Sequence, residues 1–412
     1  MMEISTKLAI DGGDPVRREA FAPWPCFAAD EIEAVTRVLT SGRVNFWTGT
    51  ECTQFEAEYA QYAGVQHAIT LANGTLALEL ALYALGIGPG DEVVVPSRTF
   101  IASASCVVAR GAKPVLADID AVSQNLTPDT IRAVLTPCTR AIITVHLAGW
   151  PCEMEPIMAL AREHGLFVVE DCAQAHGARY QGRPVGSFGD VAAFSFCQDK
   201  IISTGGEGGM LLTSNTALWE KAWAYKDHGK SYEAVFRREH PPGFRWLHES
   251  FGSNLRMTEM QAAIGRRQLG KLEDWIAIRR HNAATLEEGF APIPGLRLTP
   301  ETSGITHAYY RYYAFLDLNK LREDWDQSRV IAAINAEGVP CFVGSCGEIY
   351  REMAFASAGL QPLHQHSVAH RLAESSLTFQ VHPTLTEQDM QDICTAVAKV
   401  MSAAVKPELI EY

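Results

Sequence analysis

Ala141-Ile-Ile-Thr-Val145, Phe167-Val-Val169 and Val191-Ala-Ala-Phe-Ser-Phe196 are short, β-branched and aromatic runs without strict polar alternation. A strand that is apolar on both faces belongs inside a sheet covered on both sides, the usual setting of a parallel sheet. Working outward, Val93-Val-Val95, stopped by Pro96, and Pro114-Val-Leu-Ala117 have the same character. Helical patterns separate the runs. Ala77 to Leu85 is helical by composition and ends at Gly86 to Gly90, and Val107-Val-Ala-Arg110 closes another helix at Gly111. From residue 65 to 215 strands and helices alternate, so the predicted class is α/β with a mostly parallel central sheet.

Around Gly252 the pattern changes. Thr258 and Gln261 form a capping box, and one long helix is predicted through Met260, Ile264, Leu269, Leu272, Trp275 and Ile276. Pro-Ile-Pro-Gly295 follows, then Tyr309-Tyr-Arg-Tyr-Tyr-Ala-Phe315, which reads as a strand, and helices near 328–337 and 386–403. The expected division is a large domain over 1–257, then a connecting helix and a smaller C-terminal α+β domain over 258–412. No internal repeat interrupts this plan.

The chain has 412 residues, with 35 Lys and Arg against 48 Asp and Glu, a formal charge of −13. Nucleic-acid binding needs a basic surface that displaces counterions, so that class is excluded, whereas one locally positive pocket can still take a small anion. The ten cysteines form no C-x-x-C pair and no zinc-like cluster with histidine, and several lie in apolar runs. They read as reduced core thiols, and no metal site is expected. The N-terminus lacks the basic-then-apolar layout of a signal peptide, and no apolar run is long enough for a membrane span. The expected location is the cytoplasm, away from any membrane.

In open parallel sheets ligands bind beyond the carboxyl ends of the strands, and several polar groups fall there. Asn73-Gly74-Thr75 opens a helix, so backbone N–H groups could meet an anion, although the same triplet also reads as a plain N-cap. Glu170-Asp171 ends an apolar run and is followed by Gln174 and His176. Lys200 stands just beyond Phe194-Ser195-Phe196 and just before Gly205-Gly-Glu-Gly-Gly209. It reads either as a buried nucleophile or as a surface lysine. The phosphate loop G-x-x-x-x-G-K-[ST] is absent, which argues against a nucleoside-triphosphatase.

In this order, Ala72-Asn-Gly-Thr75, Gly90-Asp-Glu-Val-Val-Val-Pro96, Thr99-Phe100, Val145-His146-Leu-Ala-Gly149 and Glu170-Asp171-Cys-Ala-Gln174-Ala-His176-Gly-Ala178 resemble the DegT/DnrJ/EryC1/StrS sugar aminotransferases. Phe194-Ser195-Phe196 with Lys200, Gly205 to Gly209, Asn254-Leu-Arg-Met257 and Val381-His-Pro-Thr-Leu-Thr-Glu387 complete the match, from about residue 15 to the C-terminus. The resemblance implies the fold type I architecture of the pyridoxal 5′-phosphate (PLP) dependent transferases. It also implies two half-reactions, with pyridoxamine 5′-phosphate carrying the amino group between them, and hence ping-pong kinetics. On that model Lys200 would hold PLP covalently and then act as general base. Asp171 would pair with the pyridine nitrogen, and Gln174 with the ring hydroxyl. Phe100 would stack on the ring. Ser195, Gly74 and Thr75 would hold the phosphate, and Asn254 would reach it from the neighbouring subunit of a homodimer.

Two departures are local: Asn45-Phe-Trp-Thr-Gly49 stands where the family often has Gly-Pro, and Asn73 where it often has Ser. Sugar dehydratases that resemble this group carry His at the Lys200 position, so Lys200 favours transamination over deoxygenation. The leading reaction is amino transfer from an amino acid, L-glutamate in the first place, to a keto-sugar carried on a nucleotide. The alternatives are a non-nucleotide cyclic ketone of the keto-inositol or aminoshikimate type, with glutamine as a possible donor, and a PLP-binding regulator. The acidic charge opposes a regulator that binds DNA directly. His146 reads either as a substrate contact or as a satisfied core histidine, and His176 has no derivable role. Tyr309-Tyr310-Arg311 reads as pocket wall or as a buried aromatic strand. Arg98 and Arg256 could offset ligand phosphates or a donor carboxylate.

Overall fold

The computed structural model describes residues 7–240, 242–243, 245–300 and 302–407. Seven strands build the central sheet: β1 (His67–Leu71), β2 (Glu92–Pro96), β3 (Lys113–Ala117), β4 (Thr139–Val145), β5 (Phe167–Asp171), β6 (Val191–Ser195) and β7 (Gly209–Thr213). Their spatial order is β1-β7-β6-β5-β4-β2-β3, and every neighbouring pair is parallel except those that β7 makes with β1 and β6. The unalternated runs are explained by burial on both sides. Val93, Val95, Ile143 and Val169 enter one core with Leu78 and Leu82 of helix α1 (Gly74–Leu85), while Val94, Ile142 and Val168 enter another with Ile157 and Leu160. Each such side chain contributes about 1.5–3 kcal/mol by leaving water.

Strands β1 and β7 fall outside the runs read from sequence. β7 is antiparallel because no crossover helix follows β6. The chain instead turns back through Gly205 (φ +88°) and Gly206 (φ +128°), a backbone that side chains disfavour. Helix α2 (Ala102–Ala109) follows β2.

The single long helix expected from residue 260 onward is two helices, α3 (Glu259–Leu269) and α4 (Leu272–Phe290). Gly270 caps the first, and Lys271 is drawn aside by ion pairs to Asp30 (2.7 Å) and Glu31 (2.9 Å), so the apolar period runs on while the backbone bends. Beyond α4, β8 (Leu296–Leu298), β9 (Tyr312–Leu316) and β10 (Ser376–Phe379) form an antiparallel sheet backed by α5 (Gln327–Ala336) and α6 (Glu387–Ala404). Phe290, Ala314, Ile334, Phe379 and Val397 pack into this second core together with Leu8 from the far end of the chain. Buried Glu337 ties that end down, accepting the N–H groups of Ala9 (2.8 Å) and Val16 (3.1 Å) while it pairs with Lys399 (2.8 Å).

The strand expected from Tyr309 starts only at Tyr312. Tyr309 has φ +47°, and residues 308 and 310 donate their N–H groups to Gly149 and Ala148 at the end of the central sheet instead of to a strand partner.

Two buried histidines make the fold acid-sensitive. His176 is sealed between the Tyr59 hydroxyl (2.7 Å) and the Ser195 carbonyl (2.9 Å), and burial pushes its pKa down to about 4. His382 stacks on Trp24, and burial with Arg279 and Arg311 nearby takes it down to about 3. Both are neutral in the fold and bind a proton more readily when unfolded, so their stabilisation is complete above pH 6.5 and is lost as the pH falls toward 4. For His176 alone the full loss is on the order of 3 kcal/mol. Thermal unfolding at pH 7.5, 6 and 5 should show Tm falling stepwise, and a Tm unchanged from pH 7.5 to 5 would refute the assignment.

Candidate active site

A cavity of about 860 Å³ opens at the carboxyl ends of the parallel strands. Of the residues singled out from the sequence, Gly74, Thr75, Phe100, Asp171, Gln174, Ser195 and Lys200 all line it. They come from the ends of β1, β2, β5 and β6 and the turns that follow, which is why chain positions so far apart converge.

Glu170 and Asp171 are consecutive on β5 and therefore point to opposite faces. Glu170 turns away from the cavity, where His146 lies at 3.1 Å and the N–H groups of Gly186, Phe188 and Gly189 donate at 2.8, 2.7 and 2.7 Å. Burial opposes its charge, but these donors win and hold its carboxyl below the usual range. His146 Nδ1 accepts the Cys152 N–H (2.9 Å), so Nε2 donates to Glu170, and the ring is a satisfied core histidine outside the cavity wall. Cys172 approaches the same pair, but burial pushes its thiol up and Glu170 is already fully donated to, so the cluster is a hydrogen-bonded core with no need of a metal.

Asp171 faces the cavity. Ser103 Oγ of α2 donates to it at 2.8 Å and the Ala173 N–H at 3.2 Å, while burial raises its carboxyl above the usual range. A buried carboxylate with only these two donors is suited to a cationic or N–H partner inside the pocket.

Another part of the wall is built by backbone. Asn73 caps α1 through Leu76 N–H (2.9 Å), and the first-turn N–H groups of Gly74 and Thr75 have no partner within the helix. A Cβ on Gly74 would stand 2.7 Å from Ser195 Cβ, so only glycine lets this helix end approach Ser195. The Ser195 hydroxyl accepts the Cys197 N–H (3.3 Å) and keeps its own proton for a ligand. His176 now has a role: it fixes the Ser195 carbonyl from behind.

Lys200 lines the same cavity. Its Nζ lies 3.3 Å from Asp199 Oδ1 and 3.4 Å from the Tyr310 hydroxyl, and Trp24 Nε1 anchors its carbonyl at 2.9 Å. The Gln174 carbonyl oxygen accepts the Ala148 N–H (2.7 Å), and its amide nitrogen lies 3.4 Å from Ser345 Oγ, leaving one N–H available. The Phe100 ring is exposed at the rim.

The structure does not bring every candidate to the cavity. Asn254 is exposed and outside the wall, its backbone paired with Asp227. Arg256 pairs with Asp227 at 2.6 Å. Arg98 is buried under Gln124 and Ser376 and lies over the Tyr313 ring. Neither arginine lines the cavity, whereas Tyr310 and Arg311 do. The sequence reading missed Asp199 and the wall supplied by Phe342, Ser345, Cys346 and Thr378. Adjacency to Lys200 could have flagged Asp199; nothing local marks the others.

Among the described residues no helix is long and apolar enough to cross a membrane. Residues 25–398 match the model of the DegT/DnrJ/EryC1/StrS aminotransferase family. A solved aminotransferase from Psychrobacter cryohalolentis is 54% identical and superposes with a TM-score of 0.92 over 93% of this chain and 99% of its own. The L-glutamine:2-deoxy-scyllo-inosose aminotransferase of Streptomyces kanamyceticus is 37% identical, covering 96% of this chain and 97% of the relative. The GDP-perosamine synthase of Caulobacter vibrioides is 38% identical, covering 86% and 91%. The chain belongs to the DegT/DnrJ/EryC1/StrS aminotransferase family and is a pyridoxal 5′-phosphate-dependent sugar aminotransferase.

Proposed function

We propose that the cavity transfers an amino group from an amino-acid donor, L-glutamate in the first place, to a keto-sugar carried on a nucleotide. The observation that carries this reading is the composition of one cavity wall, which brings together a buried acceptor, Asp171, a cradle of backbone N–H groups with Ser195, and one lysine. These groups fit PLP. The unpartnered N–H groups of Gly74 and Thr75 with the Ser195 hydroxyl suit its phosphate, Asp171 its pyridine nitrogen, and Lys200 its aldehyde carbon. Gln174 has an N–H to spare for the ring hydroxyl, and Phe100 a face for the ring. When bound, PLP supplies an electron-withdrawing ring and a carbon that takes up and gives back the amino group.

The protein's own part is placement and proton handling. Lys200 Nζ accepts the proton of the donor's α-carbon and returns it as general acid. Asp171 keeps a proton on the nitrogen it faces, with Ser103 holding the carboxylate in line. Asn254, exposed and beyond the wall of its own pocket, fits a phosphate contact given to a second copy of the chain, which makes the working unit a homodimer. The cavity exceeds what the cofactor alone fills, and its outer wall from Phe342 to Cys346 and Arg311 suits a large, anionic acceptor such as a sugar nucleotide. A second reading, a cyclic ketone without a nucleotide and with glutamine as donor, draws on the inosose aminotransferase among the relatives.

The visible absorption band of the purified holoenzyme, followed while L-glutamate or L-glutamine is added, tests the reading. Glutamate should convert the lysine-bound band to that of pyridoxamine phosphate. Conversion by glutamine alone favours the second reading, and a protein that binds no PLP refutes both. Lys200→Ala should lower transamination at least about 10³-fold while the chain still folds and binds PLP without a covalent bond. Near-normal turnover would remove Lys200 from its role. Asp171→Ala should keep the covalent band and lose rate by about 10²–10⁴-fold, measured as single-turnover loss of the band with donor in excess. Asn254→Ala should weaken PLP binding about tenfold or more by equilibrium dialysis while gel filtration still shows a dimer; unchanged affinity would place the phosphate contact elsewhere.

A further inference from the structure

Asp199 lines the cavity and has no part in holding the cofactor as proposed above. In the turn after β6, where the Lys200 N–H bonds back to Cys197 O (3.0 Å), the side chains of residues 199 and 200 fall on the same side, with Oδ1 3.3 Å from Nζ. Tyr310 arrives from the segment before β9 and packs in one cluster with Phe194, Phe196 and Ile201. Its hydroxyl donates to Asp199 Oδ2 and lies 3.4 Å from Nζ, and its ring lies beside the lysine. This reach is built in, because the positive φ of Tyr309 turns the chain toward the cavity. The buried Arg279 guanidinium then holds the carbonyls of Tyr309 (3.3 Å) and Tyr310 (3.5 Å). The Asp199 side chain is 43% exposed, so the far side of the triad opens to solvent while the lysine is only 16% exposed.

We propose that Asp199, with Tyr310, is a positioning pair for Lys200: it aims Nζ and receives the ammonium that forms each time the lysine takes the donor's α-proton. This rests on Lys200 being the cofactor-bearing residue. The step is a proton transfer. A C–H bond breaks, an N–H bond forms on Nζ, and the electron pair left on carbon stays on the substrate and cofactor side until the proton is returned.

The electrostatics agree with the geometry. Burial pushes the Lys200 ammonium down, but the Tyr310 oxygen and the Asp199 carboxylate outweigh it and hold it above the ordinary lysine value. Asp199 in turn is held below the usual carboxylate range, since Lys200 and the Tyr310 hydroxyl overcome its partial burial. Among the described residues, the other charged or titratable groups around the triad are Arg311 over the Tyr310 ring, Asp171 and Glu207 in the cavity wall, Cys197, Arg279 and the neutral His176.

The test is a spectrophotometric pH titration of the resting holoenzyme, without substrate, in wild type, Asp199→Asn, Asp199→Glu and Tyr310→Phe. The Nζ that carries the cofactor loses its neighbouring negative charge in Asp199→Asn. The midpoint of the visible band should then fall by about one pH unit or more, and the acid limb of the kcat profile should move with it. Asp199→Glu should restore most of both, and Tyr310→Phe should shift the midpoint less. A merely structural Asp199 would change yield or Tm and leave the midpoint alone; a wild-type midpoint in Asp199→Asn and Tyr310→Phe overturns the proposal. Should Asp199→Asn fail to fold, the Asp199→Glu and Tyr310→Phe titrations decide it alone. Absence of any lysine-bound band in wild type would instead remove the reading of Lys200, and this inference with it.

Discussion

The two-residue repeat of a β-strand is the constraint on which the site depends. At the end of β5 it sends Glu170 into the body of the protein and Asp171 into the cavity, one residue apart. The two carboxylates then part company chemically. Glu170 has a histidine and three backbone N–H groups and stays ionised below its ordinary range, while Asp171 has two donors and is raised by burial. A shift of one residue in register would exchange them. It would put a fully satisfied anion in the pocket and an under-donated one in the core, at a cost of several kcal/mol. The parallel pairing of β5 with β4 and β6 holds that register and thereby holds the site.

The same economy governs the part of the wall built by backbone. The first turn of α1 offers N–H groups whatever its sequence, but they meet Ser195 only because residue 74 has no side chain. Ser195 in turn is placed by its carbonyl, which His176 grips, and His176 is kept neutral by burial so that Nδ1 can accept from Tyr59 and Nε2 can donate. A residue with no role legible in the sequence thus supports one that had a role. Its partner Tyr59 lies far away in the chain, and no local pattern announces the pair.

Legibility follows the range of the interactions. The five parallel strands β2 to β6 were readable because two-sided burial writes itself into each run separately, and Phe100, Asp171 and Ser195 of the cavity lining sit at or just beyond the ends of those runs, while Gly74 and Thr75 follow β1, which lies outside them. The capping box at Thr258 was readable for the same reason, since its partners lie three residues apart. The bend at Gly270 was not. Its apolar period continues unbroken, and the ion pairs that pull Lys271 aside go to residues 30 and 31. Tyr310 and Arg311 favour a buried strand when read from sequence, yet they form cavity wall, because what decides is the positive φ at Tyr309 and two hydrogen bonds to Ala148 and Gly149. The wall from residue 342 to 346 joins the two parts of the chain, Phe342 bridging to Thr378 of β10 while Cys346 packs against the large core, so it forms only when the C-terminal segment packs on the central sheet.

A chain of net charge −13 must nevertheless attract anions to this one place. The cations near the cavity are unevenly committed. Arg98 and Arg279 are buried and spent on Gln124, Ser376 and the carbonyls of residues 309 and 310, and Arg256 on Asp227. Burial pushes the Arg98 guanidinium down, and that of Arg279 down to about 9. What remains facing the opening is Lys200, partly neutralised by Asp199, and Arg311, which lies over the Tyr310 ring. Attraction is therefore local: α1 offers backbone N–H groups without helical partners and Arg311 one guanidinium, and under the proposed function the first of these goes to a phosphate. A net charge of −13 weighs against any anion that uses only one of these points, so local contacts and not the overall field must decide which anion the cavity holds.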